Sequence, residues 1–345
     1  MAFSAAELTN IANAALDYYI DRGDVYSQTL EDKPLLAALD KSAKSFPGGK
    51  GDVSVAVKGA YTTTVAGYTH NDTVTYANPA NIMRANYTWR EHHAGISLTH
   101  TELKHDGISV VDTDGAEVSN HSGRDMTVLA NLLEDKLEDM MEGYSRGINS
   151  LLWQDGTGDA KALAGVLAVV KDDPTTGSVG GIAQNTNTWW RNRFNLGIAT
   201  GADLVETIHT EMRQLRRYGG RPNLALCGSA FLDRLVTELR NKGNYTDAGF
   251  ARGSDISVGE IRYNGMVFKY DPQLDTKGTV GSQEFNKRCY ILDTNHLYLH
   301  YMDGEKMKRH SPTRPADQYV MYRAITTTGV LCANQLNCHG VYEID

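Results

Sequence analysis

DPTTGSVGGIAQNTNTWWRNRF, residues Asp173–Phe194, is the stretch on which the reading of this chain turns. It opens as a turn, passes through Gly180-Gly181 and closes on Trp189 and Trp190 beside Arg191 and Arg193. Three chemistries compete for it. A phosphate-cradling P-loop needs a Lys-Ser/Thr pair, which SVGGIAQN lacks. A single-strand stacking platform interleaves aromatics with arginines, but here the cluster is isolated in a chain of formal net charge −8. Large aromatics and Arg also anchor protein–protein contacts, and that reading agrees with the rest of the chain.

Immediately upstream lies the strongest periodic signal. Met126, Leu129, Leu133, Leu137, Met140, Tyr144, Ile148 and Leu151 recur in steps of three and four, predicting a helix over Arg124–Trp153. At the helical rise it is a beam of roughly 45 Å. Farther upstream, Asp52–His100 is rich in Thr, Val and Tyr, which favours strands. His70-Asn71-Asp72 offers a turn between two runs. Its middle, Tyr61–Asn86, is polar on both faces. A lone ribbon of this kind is marginal in water, and weak alternation cannot pin its register. It is therefore expected to project and to be held by another molecule, rooted by Val53, Val55 and Val57 on one side and Ile96 and Leu98 on the other. Helices are also predicted at Ser4–Ile20 and Lys33–Ser45. With few large apolar residues, this beginning reads as an arm that docks elsewhere.

Downstream, helices are predicted at Thr200–Tyr218 and Ser229–Lys242, with a buried strand at Asn223–Gly228. A hairpin spans Gly259–Asp271 with Asn264-Gly265 at its turn. Further strands are placed at Arg288–Leu292, His296–Tyr301 and Val320–Leu331. Thr200 to about Met302 thus reads as a compact α+β unit.

The chain has 345 residues, 41% hydrophobic and 22% charged, and reads as globular. No apolar run approaches a membrane span, and the beginning lacks signal-peptide character. The acidic balance argues against a firm grip on nucleic acid. Cys227, Cys289, Cys332 and Cys338 show no CxxC spacing, so reduced structural thiols are expected. Cys332, Cys338 and His339 suggest metal ligands only weakly, because ITTTGVLCANQL reads as buried strand. Glu134, Glu138 and Glu142 share a helix face, with Asp135 and Asp139 nearby. No inward His accompanies them, so a solvated face is the reading. Adjacent His92-His93 point to opposite sides of a strand, and His296 and His300 lack a third partner. No catalytic, cofactor or metal site is assigned, and the chain is not read as an enzyme.

The run DGTGDAKALAGVLAVVKDDPTTGSVGGIAQNTNTWWRN, Asp155–Asn192, resembles the region after the long helix in tailed-bacteriophage major capsid proteins of the Hong Kong 97-like fold. The order of arm, extended loop, spine helix and Gly-rich segment ending in Trp-Trp-Arg is similar, as is the hairpin Ile261–Phe268. Where relatives often carry Asp-Arg, this chain has Ala183-Gln184.

The resemblance implies an α+β subunit with an N-terminal arm over 1–51 and an extended loop over 52–94. A peripheral domain would take 95–195 and 310–345, with the spine helix at 124–153, and an axial domain 196–309. It implies a virion capsid component, assembled in host cytoplasm, whose copies form hexamers and pentamers of an icosahedral shell. The shell would enclose double-stranded DNA held weakly and non-specifically, with portal, scaffold or cement proteins as further partners and no membrane or cofactor. Tyr61, Tyr68, Tyr76, Arg84, Trp189, Trp190 and Arg191 are the candidate assembly contacts. An encapsulin-like compartment enclosing protein cargo is the nearest alternative, and a nucleotide- or metal-dependent enzyme a more distant one.

Overall fold

A computed structural model describes residues 3–4, 11, 33–48, 50–59, 63–76, 81–105, 110–111, 123–199, 203–241, 260–280, 283–310 and 320–345. In chain order its principal elements are α1 (Pro34–Lys41), β1 (Lys44–Phe46), β2 (Asp52–Lys58), β3 (Ile82–Thr88), β4 (Arg90–Thr99) and α2 (Gly123–Leu152). These are followed by β5 (Arg193–Ile198), α3 (Leu204–Arg216), β6 (Leu224–Cys227), α4 (Ser229–Asn241), β7 (Glu260–Tyr263) and β8 (Met266–Tyr270). The chain finishes with β9 (Arg288–Leu292), β10 (Leu297–Met302), β11 (Lys308–His310), β12 (Val320–Ala333) and β13 (Gly340–Ile344).

The helical period predicted for α2 is realised. Leu133, Leu137, Met140, Tyr144 and Ile148 are buried, joined by Met141 and Leu152. Tyr144 fixes the helix to β12 through its hydroxyl, 2.6 Å from Thr327 Oγ1. α3 is capped by Asp203, whose carboxylate accepts from Glu206 N at 3.0 Å. At the predicted hairpin turn Asn264 and Gly265 take φ of 50° and 77°, the left-handed pair that a two-residue β-turn demands.

A six-stranded sheet runs β7-β8-β6-β9-β13-β5, so β5 is an edge. Its two faces feed two cores, as the alternation of strand side chains requires. Leu224, Leu226, Tyr290, Leu292 and Val341 face the core built on α2 and α1. Ala225, Cys227, Cys289, Ile291, Tyr342 and Ile344 face α3 and α4. The second sheet is ordered β11-β12-β10-β1, with β4 also pairing β12 from Val320↔Thr99 to Gly329↔Arg90.

Three expectations change. First, β10, read from local pattern as part of the Thr200–Met302 unit, pairs with β12 in the second sheet, and the late strand β13 lies inside the six-stranded sheet. Long-range pairing, invisible to local pattern, decides membership. Second, the segment expected to dock elsewhere packs at home. Leu35, Leu36 and Leu39 are fully buried, the helix ends at Lys41, and β1 pairs in parallel with β10. Three apolar residues suffice because all three sit on one helical face. Third, Ser4 is not a helix cap but part of a two-residue pairing with Val110–Val111. Apart from Ile11, which is helical, the rest of the helix predicted at Ser4–Ile20 lies outside the described residues.

Candidate functional site

The ribbon and the Trp-Trp stretch meet at the ribbon's root. β2 and β3 pair antiparallel from Asp52↔Thr88 to Lys58↔Ile82. Val53, Val57, Ala85 and Tyr87 on this ladder are buried, and the Tyr87 hydroxyl donates to the Ala333 carbonyl at 3.0 Å. Lys58↔Ile82 is the last register pair, followed by one more backbone bond, Gly59 N donating to Asn81 O at 2.8 Å. Residues 63–76 are exposed throughout and carry no strand pairing. Among the described residues, the expected ribbon over Tyr61–Asn86 is thus strand-paired only near its base, because its outer half has no apolar face to hold a register. The turn is where the sequence put it: Asp72 N donates to Thr69 O at 2.8 Å, and the Asp72 carboxylate accepts from Thr69 N and Oγ1. Those bonds hold the Asp72 carboxyl below its ordinary pKa.

Gly180 and Gly181 form the turn of a small hairpin, Ser178–Val179 with Ile182–Ala183, at φ of 60° and 78°. The hairpin leans on β3. Asn86 N donates to Gly180 O at 2.9 Å, and a Cβ on Gly180 would stand 2.8 Å from Ala85 Cβ. Trp190, 1% exposed, clamps the hairpin from beneath, its indole N–H donating to Val179 O at 3.0 Å. Trp189 is half-buried. It tilts against Trp190 at a ring separation of 5.7 Å and lies on Gly59 at the end of β2.

Arg191 spends its guanidinium on the same loop, donating to Gln184 O at 2.7 Å and Asn185 O at 3.0 Å. Gln184 is fully buried and donates to Trp190 O at 3.0 Å, while its Oε1 accepts no hydrogen bond among the described residues. The cluster that suggested a stacking platform is therefore a structural clamp between ribbon root and body. A groove of about 920 Å³ opens beside it, lined by Lys58, Gly59, Trp189, Arg191, Phe194 and Tyr218 among others.

Behind the clamp, Arg288 is buried between two carboxylates. Its Nε donates to Glu343 Oε2 at 2.7 Å and its Nη1 to Asp172 Oδ1 at 3.1 Å. This ties the approach to Asp173 onto the six-stranded sheet.

Of the candidate contacts, Tyr68 and Tyr76 are 72% and 94% exposed on the outer ribbon, and Arg84 is exposed on β3. Trp189, Trp190 and Arg191 form the clamp, and Tyr61 lies outside the described residues. The outer ribbon residues and the clamp are thus not brought together within one chain. Sequence reasoning missed three positions. Gly59 is the seat of Trp189, which no local pattern signals. Phe194 and Leu196, 43% and 38% exposed, stand on edge strand β5 in register with Val341 and Glu343. Their alternation with Arg193 and Asn195 was the available signal.

The acidic face of α2 is partly ion-paired and partly open to solvent. Glu142 binds Lys33 and Arg146, and Glu138 and Asp139 are exposed. Among the described residues, no group of three or more His, Cys, Asp or Glu is placed to hold a metal ion, and no helix is long and apolar enough to cross a membrane.

No family model matches the sequence, and no curated protein does either. Solved structures do. The chain matches the cyanophage A-1(L) capsid asymmetric unit with a TM-score of 0.62 at 14% identity, covering 90% of this chain and 92% of that one. It matches the capsid of a native GTA particle with a TM-score of 0.53 at 14% identity, over 89% and 90% of the two chains. For the capsid of cyanophage P-SCSP1u the TM-score is 0.52 at 8% identity, over 88% and 86%. The α+β architecture is the one that the sequence resemblance implied, and over nearly its whole length this chain has the fold of phage and GTA capsid chains.

Proposed function

We propose that this chain is a major capsid protein of a phage-type particle, a structural subunit and not a catalyst. The observation that carries the reading is the outer ribbon: residues 63–76 form an unbroken exposed run with no strand pairing. Val65, Tyr68, Val74 and Tyr76 stand in solvent there. Covering each would contribute about 1.5–3 kcal/mol, and a neighbouring copy is the surface that can do so. Extended, the run from Gly59 to His70 reaches at most roughly 40 Å, enough to cross onto an adjacent subunit. In this reading the contact is heterologous, one patch on each partner, with a rotation that closes into rings. These would be hexamers and pentamers of an icosahedral shell. The 52–94 loop, the 95–195 and 310–345 peripheral body and the 196–309 axial unit would take the roles that the resemblance assigns them. Exposed Phe194 and Leu196 on the β5 edge add a second apolar contact to the same interface.

The shell would enclose double-stranded DNA. A net charge of −8 suits a wall that does not grip the phosphate backbone. Portal, scaffold or cement proteins and assembly in the host cytoplasm complete the reading.

Electron microscopy and sedimentation of the purified protein provide the test. Closed shells or capsomers are expected, with DNA in particles recovered from infected cells; protein cargo would instead indicate a nanocompartment. A persistent monomer at high concentration, its ribbon folded onto its own body, would overturn the proposal.

A further inference from the structure

We propose that Cys227 and Cys289 form an oxidation site, a thiol pair that a small-molecule disulfide converts into a cross-strand staple at the centre of the six-stranded sheet. The two residues lie directly opposite each other on β6 and β9, the two middle strands. Their sulfurs are 3.2 Å apart and both side chains are fully buried. The rung is of the favourable kind. Gly228 N donates to Arg288 O at 2.9 Å, which makes 228/288 the hydrogen-bonded pair and 227/289 the non-hydrogen-bonded one. Cα atoms in such a pair are about 4.5 Å apart, inside the range a disulfide spans. Closing the bond then requires the sulfurs to approach by about 1 Å.

The remaining thiols differ. Cys332 lies buried in β12, and Cys338 contacts the Gln335 carbonyl and the His339 ring. They serve as internal controls.

The chemistry balances. One thiolate attacks the small disulfide and expels one thiol, leaving a mixed disulfide. The second cysteine attacks the protein-bound sulfur and expels the other thiol. Two protons and two electrons leave the protein, and the reagent is reduced to two thiols. Burial, followed by the hydrogen bond to Cys289, pushes the Cys227 thiol up, so attack is slow while the sheet is closed. The same burial shields the finished bond from reductants. The proposal concerns the subunit and stands apart from the assembly reading. Under that reading the pair stays reduced during synthesis and closes when the particle reaches oxidising surroundings.

The folded protein is incubated with oxidised glutathione below its unfolding temperature, alkylated, then denatured and mapped. Free thiols are expected to fall from four to two, with one Cys227–Cys289 linked peptide and a mass loss of about 2 Da. The unfolding midpoint is expected to rise by several degrees and to return on reduction. Cys227→Ser, or Cys289→Ala should the first variant misfold, is expected to abolish both changes. Four thiols surviving prolonged exposure in the folded protein, or a link through Cys332 or Cys338, would overturn the proposal.

Discussion

The indole of Trp189 rests on Gly59: a Cβ built there would stand 2.9 Å from Trp189 Cε2. The seat is bare because glycine leaves it bare, and it joins the end of β2 to a loop distant in sequence. Gly59→Val is expected to displace the ring and destabilise the subunit by about 1–3 kcal/mol, the usual cost of overpacking. Urea unfolding, with tryptophan emission shifting red as the indole becomes wetter, checks this. An unchanged midpoint and spectrum would remove Gly59 from the account.

Trp190 is both packing and hydrogen bond. Trp190→Ala is expected to cost about 3–5 kcal/mol through the cavity it leaves. Trp190→Phe keeps much of the volume and loses the donor to Val179 O, at a smaller cost of about 1–3 kcal/mol. Both variants are expected to lower shell yield, Trp190→Ala more. Normal shells with unchanged melting from Trp189→Ala/Trp190→Ala would count against the clamp.

Tyr68 and Tyr76 separate folding from assembly. Both are exposed within the chain, so Tyr68→Ala/Tyr76→Ala is expected to shift subunit stability by less than about 0.5 kcal/mol. Particle yield should nevertheless fall sharply by sedimentation. A matching loss of subunit stability would show the ribbon packed at home.

Arg288 sits buried between Asp172 and Glu343, each bridge 3.0 Å or shorter. Arg288→Ala leaves two carboxylates facing each other and is expected to cost about 3–5 kcal/mol. Denaturant unfolding of the variant measures it, and a cost under 1 kcal/mol would mean that water replaces the guanidinium.

Two buried groups give pH dependences of opposite sign. Burial pushes His339 down to about 4, so the folded state resists its protonation. The stability this protects is present above about 6.5 and is lost as pH falls toward 4, by about 3 kcal/mol. Burial pushes Asp271 up to about 6, despite hydrogen bonds from Gln273 N and Trp153 Nε1. Its contribution is full below 3.8 and is lost as pH rises through 6. The two nearly offset between pH 4 and 6. Asp271→Asn is therefore expected to become more acid-sensitive than the parent between pH 7 and 5, and His339→Gln less. Identical pH slopes in all three proteins would refute the assignment.

Much of this protein was legible in its residues. The spacing from Leu133 to Ile148 determines a helix and its buried face, because a 3.6-residue period is a property of the backbone alone. Asn264-Gly265 and Gly180-Gly181 determine their turns, since left-handed φ is cheap only for such residues. The polar, weakly alternating stretch around Tyr68 determines that the outer ribbon cannot anchor itself. Tertiary structure alone decided the rest. It placed β13 between β9 and β5, brought α1 home onto the core, set Trp189 on Gly59 and aligned Cys227 with Cys289. Each of these joins segments far apart in the chain, and a local pattern states which face a residue buries without stating against what.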